Sequence, residues 1–163
     1  MRIAVCDDEK IFRDILRREL ERYAGERGLS FELHEFGSGS GLLSCGLTFD
    51  LIFLDYKMDG KDGIDTAGEL RRRSDNTAVI FVSSYREIVF ESIKYKVFRF
   101  LLKPLEPEKL AEALDSLLAE RQQLVSIIAK DEAGQKSVVI PAGDIIYAQA
   151  DNIYATVVTS RGS

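Results

Sequence analysis

Short, uniformly apolar runs alternate along the chain with segments whose apolar residues recur every three or four positions, the pattern of a parallel sheet covered by helices on both faces. The first run, Ile3-Ala4-Val5-Cys6, stops at Asp7-Asp8-Glu9. Phe12, Ile15, Leu16, Leu20 and Tyr23 follow at helical spacing, and Gly25 and Gly28 are expected to end that helix. Phe31, Leu33 and His34 to Phe36 predict a second strand. Gly37-Ser38-Gly39-Ser40-Gly41 has a linker's composition, but it precedes Leu42-Leu43 and is only five residues long, so it predicts a loop capping a short helix. Leu51-Ile52-Phe53-Leu54 reads as a strand buried on both faces and runs into Asp55. Asp62-Gly63 turns into a helix through Ile64, Ala67 and Leu70, which closes with Arg71-Arg72-Arg73 at the negative end of its dipole. Ala78 to Val82 predicts a fourth strand ending at Ser83-Ser84, followed by a helix with Ile88, Val89, Ser92 and Ile93 inward and a fifth strand from Val97 to Leu102. Lys103-Pro104 stops that strand, because proline cannot donate to a ladder. Pro107 opens a last helix striped by Leu110, Ala113, Leu114, Leu117, Leu118, Leu124 and Val125.

After about residue 125 the rhythm changes. Ile127-Ile128, Ser137 to Ile140, Asp144 to Gln149 and Ile153 to Val158 predict short strands, with turns at Ala133-Gly134, Ala142-Gly143 and Asp151-Asn152 and no helix between them. We therefore expect one α/β domain over residues 1–122, then a linker and all-β segment over residues 123–163. At about 37 residues the β segment is shorter than domains that usually stabilise themselves, so it reads as the beginning of an incomplete module.

Charge refines this division. The chain carries 22 basic and 27 acidic side chains, a net charge of −5, which argues against nucleic-acid binding through bulk positive charge. Residues 1–120 hold 18 basic and 23 acidic side chains, and residues 121–163 hold 4 of each, so the excess is confined to the first domain. No apolar run approaches the roughly 20 residues of a membrane span, and the expectation is a cytoplasmic protein with no membrane partner. Cys6 and Cys45 lack metal-ligand or redox spacing, and His34 is the single histidine.

The candidate chemistry lies where the strands end. In an open parallel sheet, ligands gather outside the carboxyl ends of the strands near a topological switch point. The residues there are Asp7 and Asp8, Asp55, Ser83 and Lys103. Carboxylates brought that close raise one another's pKa unless a cation neutralises them, and oxygen ligands with retained waters suit Mg²⁺. A lysine and a hydroxyl beside such an ion suit a phosphoryl group, with Asp55 as the candidate nucleophile that becomes an aspartyl phosphate. Taken singly, Asp7-Asp8 could cap a helix, Asp55 could end a strand and Lys103 could be a solvated side chain. Their joint placement on four strand ends carries the functional reading.

These residues resemble the receiver domain of bacterial two-component response regulators over roughly residues 1–120. The acidic pair matches Asp7-Asp8, the phosphoaccepting aspartate Asp55, the hydroxyl residue Ser83 and the lysine-proline Lys103-Pro104; Asp55-Tyr56-Lys57-Met58 and Asp62-Gly63-Ile64 also fit. The resemblance implies a flavodoxin-like five-stranded parallel sheet in the order 2-1-3-4-5, with helices on both faces. It implies Mg²⁺ held by Asp8, Asp55 and the backbone carbonyl of Lys57, with Asp7 acting through water. Lys103 would pair with phosphoryl oxygens, Ser83 would move toward them, and Phe100 would be the switch aromatic. Asp59 stands where many members have proline, and Phe100 lacks the hydroxyl of the commoner tyrosine. His34, on strand 2, is poorly placed for phosphotransfer and reads as a half-buried strand residue, so a sensor histidine kinase is expected to supply the phosphoryl group. Haloacid-dehalogenase-like phosphohydrolases use Asp-x-Asp, but the second position here is Lys57, so slow self-hydrolysis is expected and an enzyme acting on external substrates is not.

Ser137 to Tyr154, especially Asp144-Ile145-Ile146-Tyr147 and Asn152-Ile153-Tyr154, resembles the start of a LytTR-type DNA-binding domain. The resemblance implies transcription regulation by the complete protein, with DNA contacted only through a complete C-terminal domain. A phosphorylation-dependent change at the face of the fourth helix, fifth strand and last helix would promote a homodimer or release the output module. The alternatives are a receiver fold kept as a phosphate-insensitive interaction module and a phosphohydrolase.

Overall fold

The computed structural model describes residues 1–58, 62–73, 77–84, 95, 97–124, 126–130, 137–141, 145–151 and 154–159, with side chains described through residue 121. In chain order the elements are β1 (Arg2–Cys6), α1 (Lys10–Arg27), β2 (Glu32–Phe36), α2 (Gly39–Ser44), β3 (Leu51–Asp55), α3 (Gly63–Arg72), β4 (Ala78–Ser83), β5 (Arg99–Leu102), α4 (Pro107–Leu124), β6 (Ser126–Lys130), β7 (Ser137–Pro141), β8 (Ile145–Asp151) and β9 (Tyr154–Thr159). The helix expected around Ile88 to Ile93, and Asp59, lie outside the described residues. Two compact units, Met1–Ala113 and Leu114–Ser163, divide the chain, with the division inside α4.

β1 to β5 form one sheet in the order β2-β1-β3-β4-β5, and every neighbouring pair is parallel. This is the expected flavodoxin-like order, with its switch point between β1 and β3. The hydrophobic pattern explains the order. Ile3, Leu51, Ile52, Leu54, Val79, Ile80 and Phe81 are fully buried, as central strands covered on both faces require. The edge strand β2 exposes Glu32 and Glu35 and half-buries Leu33, His34 and Phe36. Within α4, Leu110, Ala113, Leu114 and Leu117 are buried, which accounts for the apolar stripe.

Local chemistry sets the boundaries. The Ser38 Oγ accepts from the Gly41 N–H at 3.1 Å and caps α2, so the glycine-serine run starts a helix rather than forming a linker. The Asp62 carboxylate accepts from the Asp65 N–H at 2.8 Å and caps α3. Gly25 differs from expectation, because α1 continues through it to Arg27 and stops at Gly28, whose φ of 65° supplies the left-handed turn. Tyr23 and Ala24 are buried immediately before Gly25, and their packing outweighs the glycine's weak helix propensity. β5 begins at Arg99 rather than Val97, although the Phe98 N–H donates to the Val79 carbonyl at 2.8 Å.

The amino end of the sheet is laced by hydrogen bonds. The Asp50 carboxylate accepts from the Arg2 N–H at 2.7 Å, the Asp50 N–H donates to the Arg2 carbonyl at 2.9 Å, and the Ala78 N–H donates to the Asp50 carbonyl at 3.3 Å. The buried Thr77 hydroxyl donates to the Phe49 carbonyl at 2.7 Å. At the other end, the Gly63 N–H donates to the Tyr56 carbonyl at 2.8 Å and seats α3 directly on the chain leaving β3.

In the second unit, β6 and β7 pair antiparallel with Ile127 opposite Ile140, and β8 and β9 pair antiparallel with Gln149 opposite Thr156 and a register shift between Ile145 and Tyr147. These are the four short strands the sequence predicts. No helix among the described residues is long and apolar enough to cross a membrane.

Two glycines should respond oppositely to alanine. A Cβ at Gly63 would overlap the Asp55 carbonyl oxygen and lie 2.8 Å from the Phe81 ring, whereas one at Gly25 meets nothing within 4 Å. Gly63→Ala should lower unfolding free energy by about 1–3 kcal/mol and Gly25→Ala should raise it by about 0.5–1 kcal/mol, read from urea denaturation midpoints.

Candidate functional site

Parallel register places the chemistry. Asp7 follows β1, Asp55 is the last residue of β3, Ser83 the last of β4, and Lys103 follows β5. The Lys103 N–H donates to the Ser83 carbonyl at 2.9 Å, and the Asp7 N–H donates to the Phe36 carbonyl at 3.1 Å, so both turns are held by neighbouring strands. Carboxylate oxygens of Asp7, Asp8 and Asp55 lie within 4.8 Å of one another, with Asp7 and Asp55 buried and Asp8 exposed.

The Lys103 ammonium lies between the two buried carboxylates, 2.7 Å from Asp7 Oδ2 and 3.4 Å from Asp55 Oδ2. Its side chain is 5% exposed, so solvent does little to screen these pairs. Three carboxylates against this one ammonium, all offering hard oxygen donors, make a set that could hold a small divalent cation. The remaining carboxylate contacts fix the geometry. Asp7 Oδ1 accepts from the Glu9 N–H at 2.9 Å, and Asp55 Oδ1 accepts from the Tyr56 N–H at 2.9 Å. Glu9 is the N-cap of α1 and makes no side-chain cap bond, and the Asp7 carboxylate fixes the residue itself through its N–H.

Burial is the largest influence on Asp55 and pushes its pKa up to about 6; the Lys103 charge opposes this, Asp7 adds to it, and the Tyr56 N–H opposes it. Burial also pushes the Cys6 thiol up to about 12, with Asp7 and Asp55 adding to the rise. Cys6 lies 3.6 Å from the Met58 sulfur and is not a nucleophile at neutral pH.

The other candidates are placed as follows. Ser83 is fully buried at the end of β4. Lys57 sits on the loop two residues beyond Asp55, with an exposed side chain. Phe100 is half-buried on β5, packs against the core cluster that contains Phe81, and lies opposite Phe81 in the ladder. His34 is half-buried on β2, with Nε2 2.8 Å from the Glu32 carboxylate and its ring edge-on to Phe49.

Two residues of the site were not singled out by the sequence pattern. The Phe12 ring lies beneath Lys103, with its centroid 3.9 Å from Nζ. Arg13 donates from Nη1 to the Asp7 carbonyl at 2.6 Å and the Asp8 carbonyl at 3.2 Å, with its Nε 3.5 Å from Glu35 Oε2. A cation one turn into the helix that follows an acidic pair was the available signal for Arg13. Phe12 carried none, because its spacing is that of ordinary helix packing.

The Asp55 pKa links the site to stability. The folded value of about 6 exceeds the ordinary 3.8, so the folded state binds the proton more tightly, and this contribution is full below pH 3.8 and lost as pH rises through 6. In magnesium-free buffer, raising the pH across that window should remove roughly 3 kcal/mol of the wild-type protein's stability relative to Asp55→Asn. Urea unfolding of both proteins at a series of pH values measures the difference, and added Mg²⁺ should narrow it at pH 7.

The response regulator receiver domain family matches residues 3–115. The positive alginate biosynthesis regulatory protein of Pseudomonas aeruginosa is 28% identical over an alignment covering 99% of this chain and 71% of that protein. The sensory transduction protein LytT of Bacillus subtilis is 26% identical over 95% of this chain and 64% of its own length, so the chain spans less than two thirds of that relative. Both alignments extend beyond the receiver match into the β segment, consistent with a receiver followed by a LytTR-like module. Among solved structures, the response regulator TrrA of Thermotoga maritima in complex with Mg²⁺-BeF superposes with a TM-score of 0.63 at 25% identity, covering 71% of this chain and 97% of that one. The match spans Asp7, Asp55, Ser83 and Lys103 on one sheet edge of the expected order, and the chain belongs to the response regulator receiver family.

Proposed function

We propose that this chain is the phosphoryl-accepting part of a two-component response regulator, with Asp55 as the acceptor. The observation that carries the reading is Lys103 between the buried carboxylates of Asp7 and Asp55, with Asp8 completing the acidic cluster. An Asp55 carboxylate oxygen attacks phosphorus, the bond from phosphorus to the donor atom breaks, and the leaving group keeps that electron pair. The donor is a phosphohistidine of a sensor histidine kinase, since His34 sits on the edge strand in a pair with Glu32. Asp8, Asp55 and the Lys57 carbonyl hold Mg²⁺, with Asp7 acting through water. When bound, Mg²⁺ supplies positive charge that draws the carboxylates and phosphoryl oxygens together. Lys103 contributes a second, fixed positive charge.

Phosphorylation replaces the −1 of the Asp55 carboxylate with about −1.5 to −2 on the acyl phosphate and brings three phosphoryl oxygens beside β4 and β5. Ser83 turns its hydroxyl toward them and Phe100 moves inward, changing a face that includes β5 and α4. Residues 1–122 form the receiver, and residues 123–163 begin the output module. The complete protein regulates transcription by binding DNA through its full C-terminal domain, working in the cytoplasm with phosphorylation favouring a homodimer. The chain hydrolyses its own aspartyl phosphate slowly and turns over no external substrate.

Incubation with Mg²⁺ and acetyl phosphate should give a base-labile phosphoryl adduct in the intact mass spectrum, absent in Asp55→Asn and after magnesium chelation. Lys103→Ala should slow its formation by about 100-fold or more, the scale for removing one preorganised positive group from a charge-developing site. An adduct that persists in Asp55→Asn overturns the assignment.

A further inference from the structure

We propose that Phe12 is a positioning residue for phosphoryl binding: its ring face holds the Lys103 ammonium in place between Asp7 and Asp55. The proposal rests on the reading of Lys103 as a phosphoryl-binding cation. Lysine ends in a compact charge on a flexible four-carbon stem, so its position depends on what surrounds the ammonium. Here Asp7 Oδ2 lies 2.7 Å away and Asp55 Oδ2 3.4 Å away, and these two attractions alone would let the charge settle wholly onto Asp7. The Phe12 centroid, 3.9 Å from Nζ, bounds a third side.

The choice of side chain matters chemically. An aromatic face attracts a cation through its quadrupole and takes no directional hydrogen bond, so the ammonium protons stay available for oxygen acceptors. A leucine would fill similar space without that negative face. The contact is also desolvated, because Lys103 is 5% exposed, and cation–π attraction is strongest where water does not compete. A lysine held this way needs little further ordering when phosphoryl oxygens arrive on Asp55. The adjacent Arg13 binds the Asp7 and Asp8 carbonyls, so consecutive residues of α1 restrain the ammonium and the acidic pair.

Phe12 also lines a small apolar cavity with Val5, Leu16, Phe53 and Leu105, so a packing role must be separated from an electrostatic one. Fluorination of the ring does this, since it drains the negative face while nearly preserving shape. The whole 163-residue chain would be made with mono-, di- and trifluorophenylalanine at position 12, beside Phe12→Leu and Phe12→Tyr. Without Mg²⁺, NMR should find the Lys103 side-chain methylene protons shifted upfield by the ring current in wild type and returned to ordinary values in Phe12→Leu. Titration with Mg²⁺ and beryllofluoride should give midpoints that weaken stepwise with each fluorine, reaching about threefold to tenfold in the trifluoro chain, while Phe12→Tyr stays near wild type. In a Lys103→Ala background the series should be flat. A flat series in the presence of Lys103, or unshifted Lys103 resonances in wild type, overturns the proposal. If Phe12→Leu fails to fold, the near-isosteric fluorinated chains still decide it. Failure of the underlying phosphoryl reading looks different: wild type then shows the ring-current shift but does not bind beryllofluoride.

Discussion

Two carboxylates buried at the end of a parallel sheet would repel each other in a medium that screens them poorly, and the Lys103 ammonium makes their juxtaposition tolerable. The arrangement depends on register as much as on charge. Asp55 is the last residue of β3, Lys103 immediately follows β5, and the lysine reaches across the end of β4 to bring them together. Burial still pushes the Asp55 pKa up to about 6 against the opposing Lys103 charge, and Asp8 adds a third negative group at the surface. Three carboxylates against one ammonium leave a cluster suited to binding more positive charge.

Most of this was legible in the sequence because the central strands are apolar on both faces and end abruptly in polar residues. Asp7, Asp55, Ser83 and Lys103 stand where four apolar runs stop, so finding the strands also located the candidate residues at their ends. Residues that serve the site from a helix were harder to see. Phe12 falls on α1 at a spacing that packing already explains, and Arg13, though placed one turn beyond an acidic pair, is equally explained as surface charge until its bonds to two backbone carbonyls are seen. Gly25 was misread as a helix end for the opposite reason. A local propensity rule marked it, while the burial of Tyr23 and Ala24, which keeps the helix going, is a tertiary fact.

The β segment follows a different logic. Its four strands were visible as short apolar runs between turn residues, yet alternation alone does not say which strands pair. They pair sequentially, β6 with β7 and β8 with β9, each an antiparallel two-stranded sheet. Local pairing is what short connections favour, whereas the parallel pairs of the receiver sheet require longer crossover connections.

The lacing at the amino end of the sheet has a mechanical meaning. Asp50 joins β1, β3 and β4 through neutral and charged hydrogen bonds, and the Thr77 hydroxyl adds a buried one, while at the carboxyl end the Lys103 ammonium adds ion pairs to Asp7 and Asp55. The two ends of the sheet are therefore tied by different forces, the amino end by hydrogen bonds and the carboxyl end by hydrogen bonds and charge. A change of charge among the carboxylates acts directly on those ion pairs and leaves the backbone hydrogen bonds at the amino end in place.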